Sequence, residues 1–188
     1  MIPILTDTEN KFKLYQLTLD QDTMIEQCEQ AIERFHIFFG DESPTWHYRV
    51  YNTFCLTAGM DNFYKLYKDL IAIIKDYHQI DEPLWFQSWI NYHMPTEVLD
   101  WHDHTESVFH GYISLRPQNT KTVFRNFEVV NKVGLLYIGD VGKEHCVEVL
   151  EPYTDPRITI AFDVFTEKNM KELINKFGSD INLSLIPI

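Results

Sequence analysis

Near residue 84 the hydrophobic pattern of this chain changes period, and few architectures accommodate both halves. Before that point apolar residues recur at helical spacing. Met24, Cys28, Ala31 or Ile32, and Phe35 form one stripe after Asp20 and Asp22 as caps, with Gly40 beyond its end. Phe63, Leu66, Tyr67, Leu70, Ile74 and Tyr77 form a second stripe after Asp61. After that point come short runs rich in β-branched and aromatic residues, broken by Pro, Asn, Asp and Gly, at 85–92, 98–102, 111–115, 122–127, 135–138, 145–150 and 157–164, with a last run at 184–187. A third, shorter helix is predicted over 167–177. Short strands at this spacing predict a sandwich or barrel, mainly β with flanking α, the N-terminal helices covering one sheet.

With 188 residues, 45% of them hydrophobic, the chain fits one domain over 1–188, with a helical support at about 20–80 and a β core at about 84–165. No repeat, low-complexity tract or Gly/Ser linker divides it. No apolar run approaches the roughly 20 residues of a membrane span, and the first residues lack the basic and apolar stretches of a secretory signal, so a soluble, cytoplasmic protein with no membrane partner is expected. Cys28, Cys55 and Cys146 are odd in number and widely spaced, which predicts reduced, mostly buried thiols and excludes a CxxC metal knuckle. The 28 Asp and Glu against 16 Lys and Arg give a formal charge of −12, which disfavours a phosphate backbone as partner. No GxSxG, P-loop or dinucleotide fingerprint occurs, so hydrolase, nucleotidase and dehydrogenase readings lack a foothold.

The densest chemical signal is Trp101-His102-Asp103-His104-Thr105-Glu106, followed by His110, in a chain with 8 histidines. On an extended strand residues two apart share a face, so His102 and His104 can converge on one metal ion, as can His104 and Glu106. Downstream, Gly139-Asp140 leads through a turn to His145. Arg157 then opens a strand on which Arg157, Thr159, Ala161 and Asp163 share one face and Ile158, Ile160, Phe162 and Val164 the other. An Arg on a polar inner face makes a fork for a carboxylate ligand; at a solvent-facing strand mouth it would pair with Asp155 or Glu151.

This order of elements, a His-x-ligand pair, a distal His and an Arg-x-Thr strand, resembles the Fe(II)/2-oxoglutarate-dependent oxygenases over about residues 84–165. Upstream, Asn91-Tyr92-His93-Met94-Pro95, leading to His102, looks like the Asn-x-Tyr-x-Pro segment of AlkB-type and prolyl-hydroxylase-type members. Trp101-His102 is similar to the Trp-His of phytanoyl-CoA hydroxylase-like enzymes and of small phage and bacterial oxygenases. The resemblance implies a double-stranded β-helix (jelly-roll, cupin-like). It also implies Fe(II) and 2-oxoglutarate as cofactors, with ascorbate as an accessory, and O2 as co-substrate. Position by position it makes His102 the proximal ligand, His104 the occupant of the usual carboxylate position and His145 the distal ligand. Arg157 and Thr159 would hold the distal carboxylate of 2-oxoglutarate, and Asn91 would bind the same cosubstrate. His93 stands where the family has Tyr, so Tyr92 or Tyr112 would supply any phenol contact.

His104 departs from the usual 2-His-1-carboxylate set. Moving the motif by two makes His104-Thr105-Glu106 the His-x-carboxylate pair, at the expense of the register with Asn91 and Pro95; both ligand sets stand as alternatives here. Neutral imidazoles bind Fe(II) well, and 2-oxoglutarate brings compensating charge. Trp85, Phe86, Trp89 and Trp101 can wall such a site, although ordinary core and inter-sheet packing is the commoner role for each, and His110 is expected to lie behind it or serve structure. The resemblance implies a dioxygenase that hydroxylates a peptidyl, for example prolyl, or small-molecule substrate while converting 2-oxoglutarate to succinate. The competing expectations are a non-catalytic or differently metallated cupin-like ligand-binding protein, in which the histidines hold zinc or nickel, and a structural protein that kept the fold without activity.

Overall fold

The computed structural model describes residues 1–95, 97, 99–178 and 184–188. Among the described residues ten strands and four helices follow in the order β1 (Leu5–Asp7), β2 (Phe12–Gln16), α1 (Gln21–Phe39), α2 (Thr53–Leu56), α3 (Asp61–His78), β3 (Leu84–His93), β4 (Phe109–Arg116), β5 (Thr120–Phe124), β6 (Glu128–Val130), β7 (Leu135–Asp140), β8 (His145–Val149), β9 (Arg157–Thr166), α4 (Glu167–Phe177) and β10 (Leu185–Pro187). The strands form two sheets. The larger has the order β1-β2-β7-β4-β9-β3-β10 and the smaller β6-β5-β8. From β3 to β9 the chain passes repeatedly between the two sheets with antiparallel pairing throughout, which makes the fold a double-stranded β-helix, mainly β with flanking helices.

Alternation along β9 organises both sides of the large sheet. Ile158, Ile160, Phe162 and Val164 are fully buried on its outer side, in one core with Met24, Cys28 and Ala31 of α1 and Phe63, Leu70 and Ile74 of α3. The two helices therefore cover the sheet through their predicted apolar stripes. Local chemistry sets their ends: the Asp20 carboxylate accepts from Thr23 N at the start of α1, and Gly40, at φ 69, closes it where a side chain would be strained. Thr166 likewise accepts from Asn169 N to start α4, whose bounds coincide with the predicted helix.

The residues of opposite parity face the space between the sheets. One end of that space is packed with rings: Phe12 stacks on Phe127 at 4.5 Å, and Phe124 on Phe127 and Tyr137 at 4.3 and 4.9 Å. The other end stays open.

Several local expectations need correction. Residues 99–102 form no named strand; they meet β8 through one bridge, His102 to His145, and one bond from Val147 N to the Leu99 carbonyl. Two residues of β8 there oppose three of the other segment, so a regular ladder does not continue; Val98 of the predicted run lies outside the described residues. The run at 122–127 is a strand that starts at Thr120 and ends at Phe124, followed by a turn into β6. The hairpin of β1 and β2, which extends the large sheet beyond β7, was not expected. At the opposite edge β10, inside the predicted last run at 184–187, pairs with β3. Cys28 and Cys146 are buried, whereas Cys55 is exposed, because it lies on the solvent side of the single-turn helix α2.

Candidate metal centre

A cavity of about 390 Å³ opens between the sheets, walled by the inward residues of β3, β4 and β9, by β5 and β8, and by the segment after β3. His102 and His145 reach it through their shared backbone bridge: His102 N donates to His145 O at 3.0 Å, and His145 N returns the bond at 2.9 Å. Directly opposed residues project side chains to one face, and the two imidazole centroids lie 4.3 Å apart. The His104 ring is 5.4 Å from each. One ligand atom from each of the three residues falls within 4.8 Å of the others, the donor set and convergence that a transition-metal ion requires.

Hydrogen bonds fix which nitrogen each ring offers. His102 Nδ1 is 2.8 Å from the Asp100 carbonyl oxygen, and His145 Nδ1 is 3.0 Å from that of Lys143. A carbonyl only accepts, so both Nδ1 atoms carry the proton and both Nε2 atoms hold the lone pair. His104 Nδ1 lies 2.9 Å from Asp163 Oδ1 and 3.2 Å from Oδ2, which leaves its Nε2 as well. Burial lowers the pKa of His145 to about 3 and lowers that of His102, so both are neutral donors at neutral pH. For His104 burial acts in the same direction, but the Asp163 charge and hydrogen bond outweigh it and raise the pKa.

At the other end of the cavity Arg157 is 4% exposed and makes no ion pair among the described residues. Its Nη2 donates to His93 Nδ1 at 2.7 Å, a bond that needs the ring nitrogen unprotonated. Burial, reinforced by the Arg157 charge, lowers the His93 pKa to about 3, while burial lowers Arg157 only to about 10. A charged guanidinium therefore faces the cavity with donors to spare. The alternative of an Arg paired at a solvent mouth is not what forms: Glu151 instead accepts from Asn119 Nδ2 at 2.9 Å. Beside Arg157, Asn91 receives Trp89 Nε1 at 3.0 Å and donates to Thr159 Oγ1 at 3.3 Å, so the Thr159 hydroxyl proton is free to point elsewhere. Tyr112 presents a buried phenol whose ionisation burial suppresses.

The structure thus gathers His102, His104 and His145 at one end of a cavity lined also by Asn91, Tyr112, Arg157 and Thr159. It does not bring Glu106 into any potential metal-binding group among the described residues. Lys176 Nζ holds that carboxylate at 2.7 Å and keeps its pKa below the usual carboxylate range. Of the four aromatic residues with a choice between wall and core, Trp89 and Trp101 line the cavity. Phe86 points the other way into the helix-covered core, as strand alternation requires, whereas Trp85, on the same face as Trp89, packs against the α4 cluster. Two further residues belong to the site. His110 puts a fourth ring 4.6 Å from His104 and 5.0 Å from His145, and with His104 and Asp163 it forms a second convergent group. Asp163 was placed on the Arg157 face by alternation, but nothing local in the sequence linked it to His104.

No protein-family model and no curated protein sequence matches the chain. Solved structures do. It is similar to the non-heme monooxygenase ThoJ in its nickel complex (TM-score 0.53, 10% identity, 84% of this chain and 74% of that chain) and, with the same values, to apo ThoJ. It is also similar to SnoN, a non-heme alpha ketoglutarate dependent epimerase from nogalamycin biosynthesis (TM-score 0.54, 11% identity, 84% of this chain and 79% of that chain). At such low identity the likeness shows the fold: this chain shares the double-stranded β-helix on which those non-heme enzymes are built.

Proposed function

We propose that the protein is an Fe(II)- and 2-oxoglutarate-dependent oxygenase in which His102, His104 and His145 hold the metal and Arg157 and Thr159 hold the distal carboxylate of the oxoacid. The observation that carries this reading is one cavity with three imidazoles at one end, each keeping Nε2 free, and an ion-pair-free buried guanidinium at the other. The donor set fits Fe(II): neutral imidazoles suit the ion, three ligands leave positions open, and a dicarboxylate supplies the negative charge that the ligand set lacks.

When bound, Fe(II) with 2-oxoglutarate and O2 supplies oxidation of a substrate C–H bond coupled to decarboxylation of the oxoacid to succinate. The chain's own residues bind, orient and exclude water. Arg157 offers a planar fork to a carboxylate, and His93 keeps that fork in place from behind. Asn91, anchored by Trp89, holds the Thr159 oxygen so that its hydroxyl donates toward the same anion. Trp89, stacked against His104 at 5.9 Å and bonded to Asn91, and Tyr112 line the stretch between the two ends with rings that exclude water. A volume of about 390 Å³ shared with the oxoacid suits a small molecule, or one side chain of a peptide, as substrate.

A differently metallated ligand-binding protein is the second reading, favoured by the His104, His110 and Asp163 group, which offers zinc or nickel another arrangement. Oxygen-dependent succinate release from 2-oxoglutarate by the Fe(II)-loaded protein, measured with and without pooled amino acids, peptides and small molecules, separates the two. The oxygenase reading expects release that His145→Ala abolishes. No release from a folded, iron-loaded sample under any condition would favour the binding protein.

A further inference from the structure

We infer that Asp163 is the positioning carboxylate of this centre: it holds His104 with Nδ1 protonated and Nε2 turned to the metal, and returns from behind the ring the negative charge that three imidazoles lack. The inference rests on the reading that His102, His104 and His145 bind a divalent metal.

Asp163 sits on β9 in register with Gln87 of β3 and His110 of β4, in the middle of the large sheet. It is 7% exposed and forms no ion pair with Lys or Arg among the described residues; His104 is the partner it meets, at 2.9 Å from Oδ1 and 3.2 Å from Oδ2. A carboxylate buried with no Lys or Arg beside it is costly, so an Asp at the centre of a sheet whose partner is a single imidazole calls for a reason. His102 and His145 direct Nδ1 to backbone carbonyls, which are neutral; His104 alone directs it to a carboxylate. A charged acceptor makes the stronger bond, fixes the ring more firmly and makes the opposite nitrogen a better donor. His104 is also the residue that stands where a carboxylate ligand would otherwise be expected. The competing arrangement places Asp163 itself on a metal together with His104 and His110, whose ligand atoms also converge. With His104 Nδ1, the nitrogen that meets Asp163, as the ligand atom, that arrangement leaves no proton between the two residues, so the two predict different species.

The test uses the full-length chain and zinc as a diamagnetic probe. Zinc affinity is measured by chelator competition at one pH for the native chain, Asp163→Asn, His102→Ala and His145→Ala, and the histidine tautomers of the zinc-loaded native chain are read by 15N NMR. The proposal expects a 10–100-fold weaker affinity for Asp163→Asn and a His104 ring protonated on Nδ1 with zinc on Nε2. Unchanged affinity in Asp163→Asn, or a His104 with no Nδ1 proton in the zinc form, overturns it. The NMR arm needs no variant and decides even if Asp163→Asn fails to fold. If the native chain binds no zinc, or if His102→Ala and His145→Ala bind it as tightly as the native chain, the metal-centre reading itself falls, an outcome distinct from failure of Asp163 alone.

Discussion

His93 allows a quantitative test of the oxoacid end of the cavity. Its ring accepts from Arg157 Nη2 at 2.7 Å, and burial together with the neighbouring guanidinium lowers its pKa from an ordinary 6.5 to about 3. The unfolded chain protonates this imidazole below about pH 6.5, while the folded chain refuses the proton until about pH 3. Through that window the unfolded state binds the extra proton, so the contribution to stability is full above pH 6.5 and falls as pH falls. Each unit of pH well inside the window removes about 1.4 kcal/mol, and integrating from pH 7 to pH 5 gives about 2 kcal/mol for this one ring. His93→Asn keeps an acceptor oxygen for Arg157 but has nothing to titrate. Other histidines held neutral by burial, His110 and His145 among them, lose stability over the same range in both proteins and cancel in the difference. Urea unfolding of the metal-free native chain and of His93→Asn at pH 7 and pH 5 should show the native chain losing about 2 kcal/mol more than the variant. Equal losses would mean that His93 is not held neutral against Arg157, and the account of a pinned, uncompensated guanidinium would be wrong.

Two further outcomes follow from the packing and the ion pairs. Gly111→Ala places a Cβ against the Tyr137 carbonyl and the Phe162 ring, both part of the packed sheet, and should cost about 1–3 kcal/mol in urea unfolding; a neutral result would show that β4 and β9 have slack that the register does not suggest. Glu106→Gln should leave metal affinity within about twofold of native, because this carboxylate serves Lys176 on the α4 side. A loss of tenfold or more in a calorimetric titration would restore the ligand set in which Glu106 follows His104.

The helices and the core strand β9 were legible because their signals are local. Asp20 and Gly40 bracket α1, the run 167–177 is α4, and the strict alternation from Arg157 to Val164 divides a polar from an apolar face, which the fold turns to the cavity and to the helices. The unexpected hairpin of β1 and β2 has strands of three and five residues and turns through Lys11 at φ 49 without a glycine, so neither a period nor a turn signature marks it. Residues 99–102 carry strand-like composition, yet their pairing with β8 is interrupted by an extra residue that only the partner strand reveals. His102, His104 and His145 stood out through spacing and family resemblance. Asp163 did not, since its contact with His104 spans 59 residues of chain and depends on how β9 sits beneath the segment after β3. The partner of Arg157 was unreadable for the same reason: the sequence offered Asp155 and Glu151 nearby, and the fold chose His93 across the β3–β9 ladder.

The most direct measurement is an anaerobic titration of the Fe(II)-loaded protein with 2-oxoglutarate, followed by visible absorption. A weak metal-to-ligand band should grow in and saturate for the native chain. In Arg157→Ala it should vanish or need far more oxoacid, while iron binding persists. A folded, iron-loaded native chain that develops no band at any 2-oxoglutarate concentration would contradict a cavity built for these two ligands together.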